Sequence, residues 1–139
     1  RRHHLFDSFE GLSMPTVRDQ DANNQVHWKK GDIAVDENVT RHNLAMFKNC
    51  SYYKGWVPTR FPEVADRRFA LVHIDVDLHQ PTHDTLEFFY ERMNPGGVMI
   101  CDDYGSAQCP GAKKAVDDFF VGKENAFFIP TGQAFIIKR

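Results

Sequence analysis

The sequence predicts an α/β fold: a doubly wound, mostly parallel sheet closed by an antiparallel C-terminal hairpin strand. Three observations predict it. Two runs, Phe69-Ala70-Leu71-Val72-His73-Ile74 and Gly97-Val98-Met99-Ile100-Cys101, are continuously rather than alternately apolar, as buried parallel strands are. Helical spacing fills the interval between them at positions 86, 89, 90 and 93, and recurs after the second at Ala112, Ala115, Val116, Phe119 and Phe120. Both strand-like runs end in acids, Asp75-Val76-Asp77 and Asp102-Asp103, at the carboxyl ends where open α/β sheets place ligands.

Taken in order, a strand beginning at residue 3 or 4 carries Leu5-Phe6 and runs into Asp7-Ser8-Phe9-Glu10-Gly11. Residues 12–34 are polar and without period apart from Val26 and Trp28, a loop long enough to be a functional lid. Asp36 is an N-cap for a helix reaching Phe47, with apolar positions 39, 44, 45 and 47. Ser51 to Trp56 is a short strand with a glycine turn, and Pro58 and Pro62 punctuate a connector. The strand over 69–75 follows, then a helix opened by Pro81-Thr82 and stopped by Asn94-Pro95-Gly96-Gly97. After the strand at 97–101 come a helix from Gly111 to Phe120 and two short strands, 126–129 and 134–138, around Pro130-Thr131-Gly132-Gln133. Phe119, Phe120, Phe127 and Phe128 are expected in the core, and His73, inside a strand, is expected to be a satisfied core residue.

The 139 residues suit one domain, and 12 Phe supply a sizeable core. A net charge of −2 offers no basic field for nucleic acid or an anionic membrane, and no apolar stretch approaches the ~20 residues of a membrane span. The first residues lack the apolar region of a signal peptide, and three cysteines without metal-ligand spacing fit a reducing cytoplasm. A homo-oligomer is compatible with all of this.

Carboxylates converging at two neighbouring strand ends repel each other unless a cation lies among them. Asp75, Asp102 and Asp103 are therefore the expected ligands of a hard divalent metal, magnesium above all; Asp77 is a fourth ligand, a substrate contact or, the favoured reading, a helix cap or supporting group. The bland alternative makes these acids helix caps or solvated turn residues. A zinc hydrolase site built from Asp75, His79 and His83 is a further alternative, weakened by Pro81 between the two histidines.

Five short motifs occur in order: Asp7-Ser8-Phe9-Glu10-Gly11-Leu12, Gly55-Trp56-Val57-Pro58-Thr59, His73-Ile74-Asp75-Val76-Asp77-Leu78, Pro95-Gly96-Gly97 and Asp102-Asp103-Tyr104-Gly105. Together they resemble the macrocin O-methyltransferase family, in which a Rossmann-like fold uses S-adenosylmethionine and magnesium to methylate sugar hydroxyls of natural products. The resemblance implies that Asp7 holds the ribose hydroxyls of the methyl donor, that Ser8 and Phe9 line the same pocket, and that Gly55 and Trp56 lie against its adenine. It implies a small-molecule hydroxyl acceptor oriented by the metal, with Asp75 or His79 as general base, although the family usually has tyrosine where His79 stands. Tyr104 and the Trp28 region are candidate acceptor contacts.

The resemblance also implies an absent element. Such folds carry a first strand and a glycine-rich turn before the strand ending in the Asp7-type acid, and the missing strand would lie between the strands ending at Asp7 and Asp75. The expected domain over 1–139 is therefore incomplete, and a non-catalytic remnant serving as a binding or assembly module is the alternative function.

Overall fold

The structure is a computed structural model describing residues 1–139. Its strands are β1 (His3–Asp7), β2 (Cys50–Lys54), β3 (Phe69–Ile74), β4 (Met93–Cys101), β5 (Phe127–Phe128) and β6 (Ala134–Ile137). The helices are α1 (Glu37–Asn43), α2 (His79–Tyr90) and α3 (Pro110–Phe120). β1 pairs with β2 and β3 with β4, both in parallel, whereas β6 lies antiparallel to both β4 and β5. The parallel sheet with an antiparallel C-terminal strand is thus present. No helix is long and apolar enough to cross a membrane.

The strands form two sheets, β1-β2 and β3-β4-β6-β5, with no ladder joining β1 to β3. These two strands nonetheless run side by side in the same direction. At their amino ends the His4 ring lies 6.0 Å from the Phe69 ring, and at their carboxyl ends Asp7 and Asp75 line one pocket. A cavity of about 410 Å³ separates them, walled by Leu5 and Phe6 on one side and by Leu71, Val72 and Ile74 on the other. The gap occupies the place between the Asp7 and Asp75 strands where the resemblance puts a further strand.

The core lies where α2 and α3 cover the larger sheet. α2 begins at His79, two residues earlier than Pro81 suggested, because a proline in the first turn forfeits only an amide that has no partner in the helix. Its Thr82, Thr85, Leu86, Phe89 and Tyr90 are buried at helical spacing, and the Thr82 hydroxyl donates to the Leu78 carbonyl at 2.7 Å. α3 faces it with Ala112, Ala115, Val116 and Phe120; the two alanines allow close approach of the helices. On β4 the inward residues are Met93, Met99 and Cys101, and on β3 they are Val72 and Ile74.

Several expectations are corrected. Phe127 and Phe128 are 49% and 58% exposed, because β5 is a two-residue edge strand without a covering layer. His73 is not in the core: its side chain stands on the open face of β3 with Nε2 3.2 Å from Asp102 Oδ1. α1 has the Asp36 cap, Oδ1 accepting from the Asn38 amide at 2.7 Å, but ends at Asn43 rather than Phe47. β4 starts at Met93, before Gly97, and its irregular start shows as a register shift opposite Phe69 and Leu71. The connector between Pro58 and Phe69 contributes the turn Phe61–Val64, whose Phe61 and Val64 are each 1% exposed.

Burial separates two leucines that the sequence alone treats alike. Leu86 is fully enclosed and Leu71 is 60% exposed toward the cavity. Leu86→Ala should cost about 3–4 kcal/mol and Leu71→Ala under about 1 kcal/mol, read from chemical denaturation of each variant.

Candidate active site

The register of the larger sheet assembles the acids. Because Ile74 is paired with Cys101 in a parallel ladder, the next residues, Asp75 and Asp102, leave the sheet side by side. Asp75, Asp102 and Asp103 present carboxylate oxygens that all lie within 4.8 Å of one another. Burial, then the Asp102 charge, holds the Asp75 carboxyl above the usual range. Asp103 is pushed up to about 6 by burial and by the neighbouring charges of Asp77, Asp75 and Asp102. Asp102 Oδ1 accepts from Gln133 Nε2 at 2.9 Å and lies 3.2 Å from His73 Nε2, which orients the carboxylate from two sides.

Asp77 joins this cluster closely. With φ of 60° its backbone turns back so that its amide donates to Asp103 Oδ2 at 2.9 Å. Its own Oδ1 lies 3.5 Å from the Cys109 thiol, and burial, offset in part by that thiol, raises the Asp77 pKa. The Asp77 amide supports a neighbouring acid, but its side chain does not cap α2, whose N-cap position is Leu78, and its carboxylate gathers with Asp103 and Cys109. Burial pushes the Cys109 thiol up to about 11, so without a cation this sulfur is neutral, although it gathers with Asp77 and Asp103.

A pocket of about 120 Å³ opens beside the acids, and Asp7, Ser8, Gly55, Trp56, Asp75 and Asp77 are among its lining residues. The β1-β2 pairing brings the first four together: the Gly55 amide donates to the Asp7 carbonyl at 2.9 Å as the two parallel strands end. Asp7 Oδ1 accepts from the Phe9 amide at 2.7 Å, and the Ser8 hydroxyl donates to the Gly11 carbonyl at 2.7 Å, a compact turn at the pocket floor. Gly55 has φ of 146°, and a Cβ there would press on the Thr59 hydroxyl and the Arg60 stem, so only glycine fits without strain. The Trp56 indole donates to the Gly11 carbonyl at 3.0 Å, fixing the ring as one wall. Phe9, 8% exposed, faces the cavity between β1 and β3 instead.

His79 lies elsewhere. It is 4% exposed rather than in an exposed loop, its Nε2 is 3.3 Å from an Arg18 guanidinium nitrogen, and its Nδ1 is buried without a partner. Burial and the Arg18 charge lower its pKa. It neither lines the pocket nor belongs to the acid cluster. The His79 and His83 rings stack at 6.2 Å, but His83 gathers with Asp84 and Glu87, so the Asp75–His79–His83 zinc set is not assembled. The Tyr104 hydroxyl donates to Asp117 at 2.7 Å, and its ring lies 5.9 Å from that of Phe128. The Trp28 indole, whose nitrogen is buried, faces the Cys109 sulfur beside Asp77. Sequence reasoning favoured a cap or supporting role for Asp77, although its alternation with Asp75 across a single residue also allowed a direct part.

Comparison with known proteins gives this arrangement a context. The family model for macrocin-O-methyltransferase (TylF) matches residues 1–125. A demethyldecarbamoylnovobiocin O-methyltransferase of Streptomyces niveus is 31% identical over 121 residues, covering 81% of this chain and 45% of the relative. An 8-demethyl-8-(2,3-dimethoxy-alpha-L-rhamnosyl)-tetracenomycin-C 4'-O-methyltransferase of Streptomyces olivaceus is 32% identical over 127 residues, covering 86% and 47%. The chain spans about half the length of the curated relatives it matches. Among solved structures, the O-methyltransferase NovP superposes with a TM-score of 0.79 at 27% identity, over 99% of this chain and 60% of that one. The calicheamicin methyltransferase CalS11 superposes with a TM-score of 0.81 at 19% identity, over 99% and 60%, a likeness of fold.

Proposed function

Since the chain belongs to the macrocin-O-methyltransferase family, we propose that it carries the donor and metal sites of an S-adenosylmethionine-dependent, magnesium-assisted O-methyl transfer to a small-molecule, sugar-type hydroxyl. One observation carries the proposal: Asp75 lies at once on the wall of the pocket shared with Asp7 and in the three-carboxylate cluster. A methyl donor held at the pocket and a hydroxyl held at the cluster are thereby neighbours.

The residues fit both groups. Asp7 has one carboxylate oxygen beyond that used by the Phe9 amide, suited to accept from ribose hydroxyls, and the bare Gly55 backbone beside the Trp56 ring suits a flat base. Asp75, Asp102 and Asp103 offer hard oxygen donors in a site where burial, then neighbouring negative charge, raises the Asp103 pKa. When bound, a sulfonium donor supplies the electrophilic methyl group, and magnesium lowers the pKa of the accepting hydroxyl. The chain's own task is to orient the hydroxyl and take its proton. Asp75 and Asp77 line the pocket and can accept it; Asp77 is the one outside the proposed ligand set, and His79 faces away. Three free cysteines are compatible with work in the cytoplasm.

The open cavity between β1 and β3 favours a second reading, a methyltransferase-like module that binds without catalysing. Calorimetric titration of the chain with S-adenosylmethionine, with and without magnesium, separates the two. Saturable heat strengthened by magnesium is expected; no heat under either condition would leave the binding-module reading.

A further inference from the structure

Residues 12–34 have almost no secondary structure of their own, yet they are tied down at three places. At the base, the Leu12 amide donates to the Asp32 carbonyl at 3.0 Å and the Gly31 amide to the Leu12 carbonyl at 2.9 Å, closing the segment into a loop. At the far side, the Trp28 indole nitrogen is buried near the Cys109 thiol, without a hydrogen-bond partner. Between them the turn Val17–Asp19 reaches across to the helices. Leu12, Ser13 and Ile33 of this loop line the pocket shared by Asp7 and Asp75.

Asp19 holds the middle tie. It is 4% exposed, and its carboxylate receives three donors, two from Thr16 in its own turn and one from α2. Oδ2 accepts from the Thr16 amide at 2.7 Å and the Thr16 hydroxyl at 3.1 Å, while Oδ1 accepts from the His79 amide at 2.6 Å. That last amide is the first of α2, where unpaired N–H groups and the helix dipole favour an anion. Residue 111 on α3 is glycine where any Cβ would overlap Asp19 Oδ1, so the acid sits in the notch between the two core helices. The surrounding contacts are exposed and weaker: Lys114 Nζ to the Gln20 carbonyl at 2.6 Å, and Arg18 to Asp118 at 3.3 Å.

We propose that Asp19 is a positioning residue, a pin that holds the 12–33 loop against the α2–α3 notch and so sets both the wall of the donor pocket and the seat of Trp28 beside Asp77. The pocket role rests on the function proposed above; the pin itself does not. With both ends of the loop on the sheet side, loss of the carboxylate frees the segment to open while leaving the helices packed on each other.

The test is Asp19→Asn in the 139-residue chain, followed by hydrogen exchange resolved along the sequence and by calorimetric titration with S-adenosylmethionine. Amides of residues 13–33 and of His79 should exchange about tenfold faster or more, those of α3, β4 and α2 beyond His79 should keep their rates, and donor Kd should rise about fivefold or more. Thr16→Ala, a milder change should Asp19→Asn not fold, should give the same loop-confined pattern at about two- to fivefold. Lys114→Ala should leave exchange within about twofold of the parent. Unchanged loop exchange overturns the pin, and so does a rise shared equally by the core amides, which would make Asp19 a general stabiliser. If the parent chain binds no S-adenosylmethionine, the proposed function falls while loop exchange still decides the pin.

Discussion

Asp103→Asn should raise the melting temperature at pH 7 in EDTA and abolish most of the further rise that magnesium gives the parent chain. Asp103 titrates at about 6 against an ordinary 3.8, because burial and three neighbouring acids oppose its charge. An acid whose folded pKa lies above its unfolded value stabilises the fold most where it is protonated. Its favourable contribution is therefore complete below about pH 4, declines as pH climbs through about 6, and is gone above. Discounted for the solvent that reaches this half-exposed turn, asparagine should gain about 1–2 kcal/mol at neutral pH, or several degrees in Tm. The amide oxygen of the substituted side chain can still accept from the Asp77 amide, so the local turn survives. With a cation among the carboxylates the sign reverses, since binding to the native state alone stabilises it and the variant lacks one ligand. Melting curves of both proteins across pH 4–8, with EDTA or with magnesium, measure both effects. A parent chain whose Tm does not respond to magnesium would remove the metal from the account.

Phe61→Ala should cost about 3–5 kcal/mol and strip protection from β1 and β2 before it affects β3 and β4. Phe61 is 1% exposed, and its ring lies 5.2 Å from Phe6 on β1 and 4.8 Å from Phe89 on α2. Since no backbone ladder joins the β1-β2 pair to the larger sheet, contacts of this kind hold the two halves together. Phe6 with Phe89 at 5.9 Å and His4 with Phe69 at 6.0 Å are further, longer contacts of the same kind. Removing the central ring leaves a hole where the halves meet, and a Tm lower by about 10 °C or more is expected for a chain of this size. Hydrogen exchange followed by peptide mapping distinguishes this from ordinary core loss. Equal loss of protection in both sheets would contradict the role given to Phe61 in joining them.

The pattern of the chain made much of this legible. The apolar run ending at Ile74 and the one ending at Cys101 located two parallel strands, and the acids that follow them were nominated as one cluster because neighbouring parallel strands end on the same side. Asp7, Ser8, Gly55 and Trp56 were likewise assigned to one pocket from the motifs that contain them. The errors share a cause. Phe61 sits among prolines that read as punctuation, Phe127 and Phe128 look like core by composition, and His79 looks like part of the Asp75 loop by proximity. In each case residue type was correct and surroundings were not.

Sequence alone located most helices and strands, though not their ends, and nominated the acids of the site, because periodicity and local turn chemistry act over a few residues. Only the tertiary structure decided that Asp77 gathers with Asp103 and Cys109, that His79 turns instead toward Arg18, and that Asp19 lies in the notch between α2 and α3. Those outcomes depend on burial and on groups tens of residues away, and a local pattern carries no record of either.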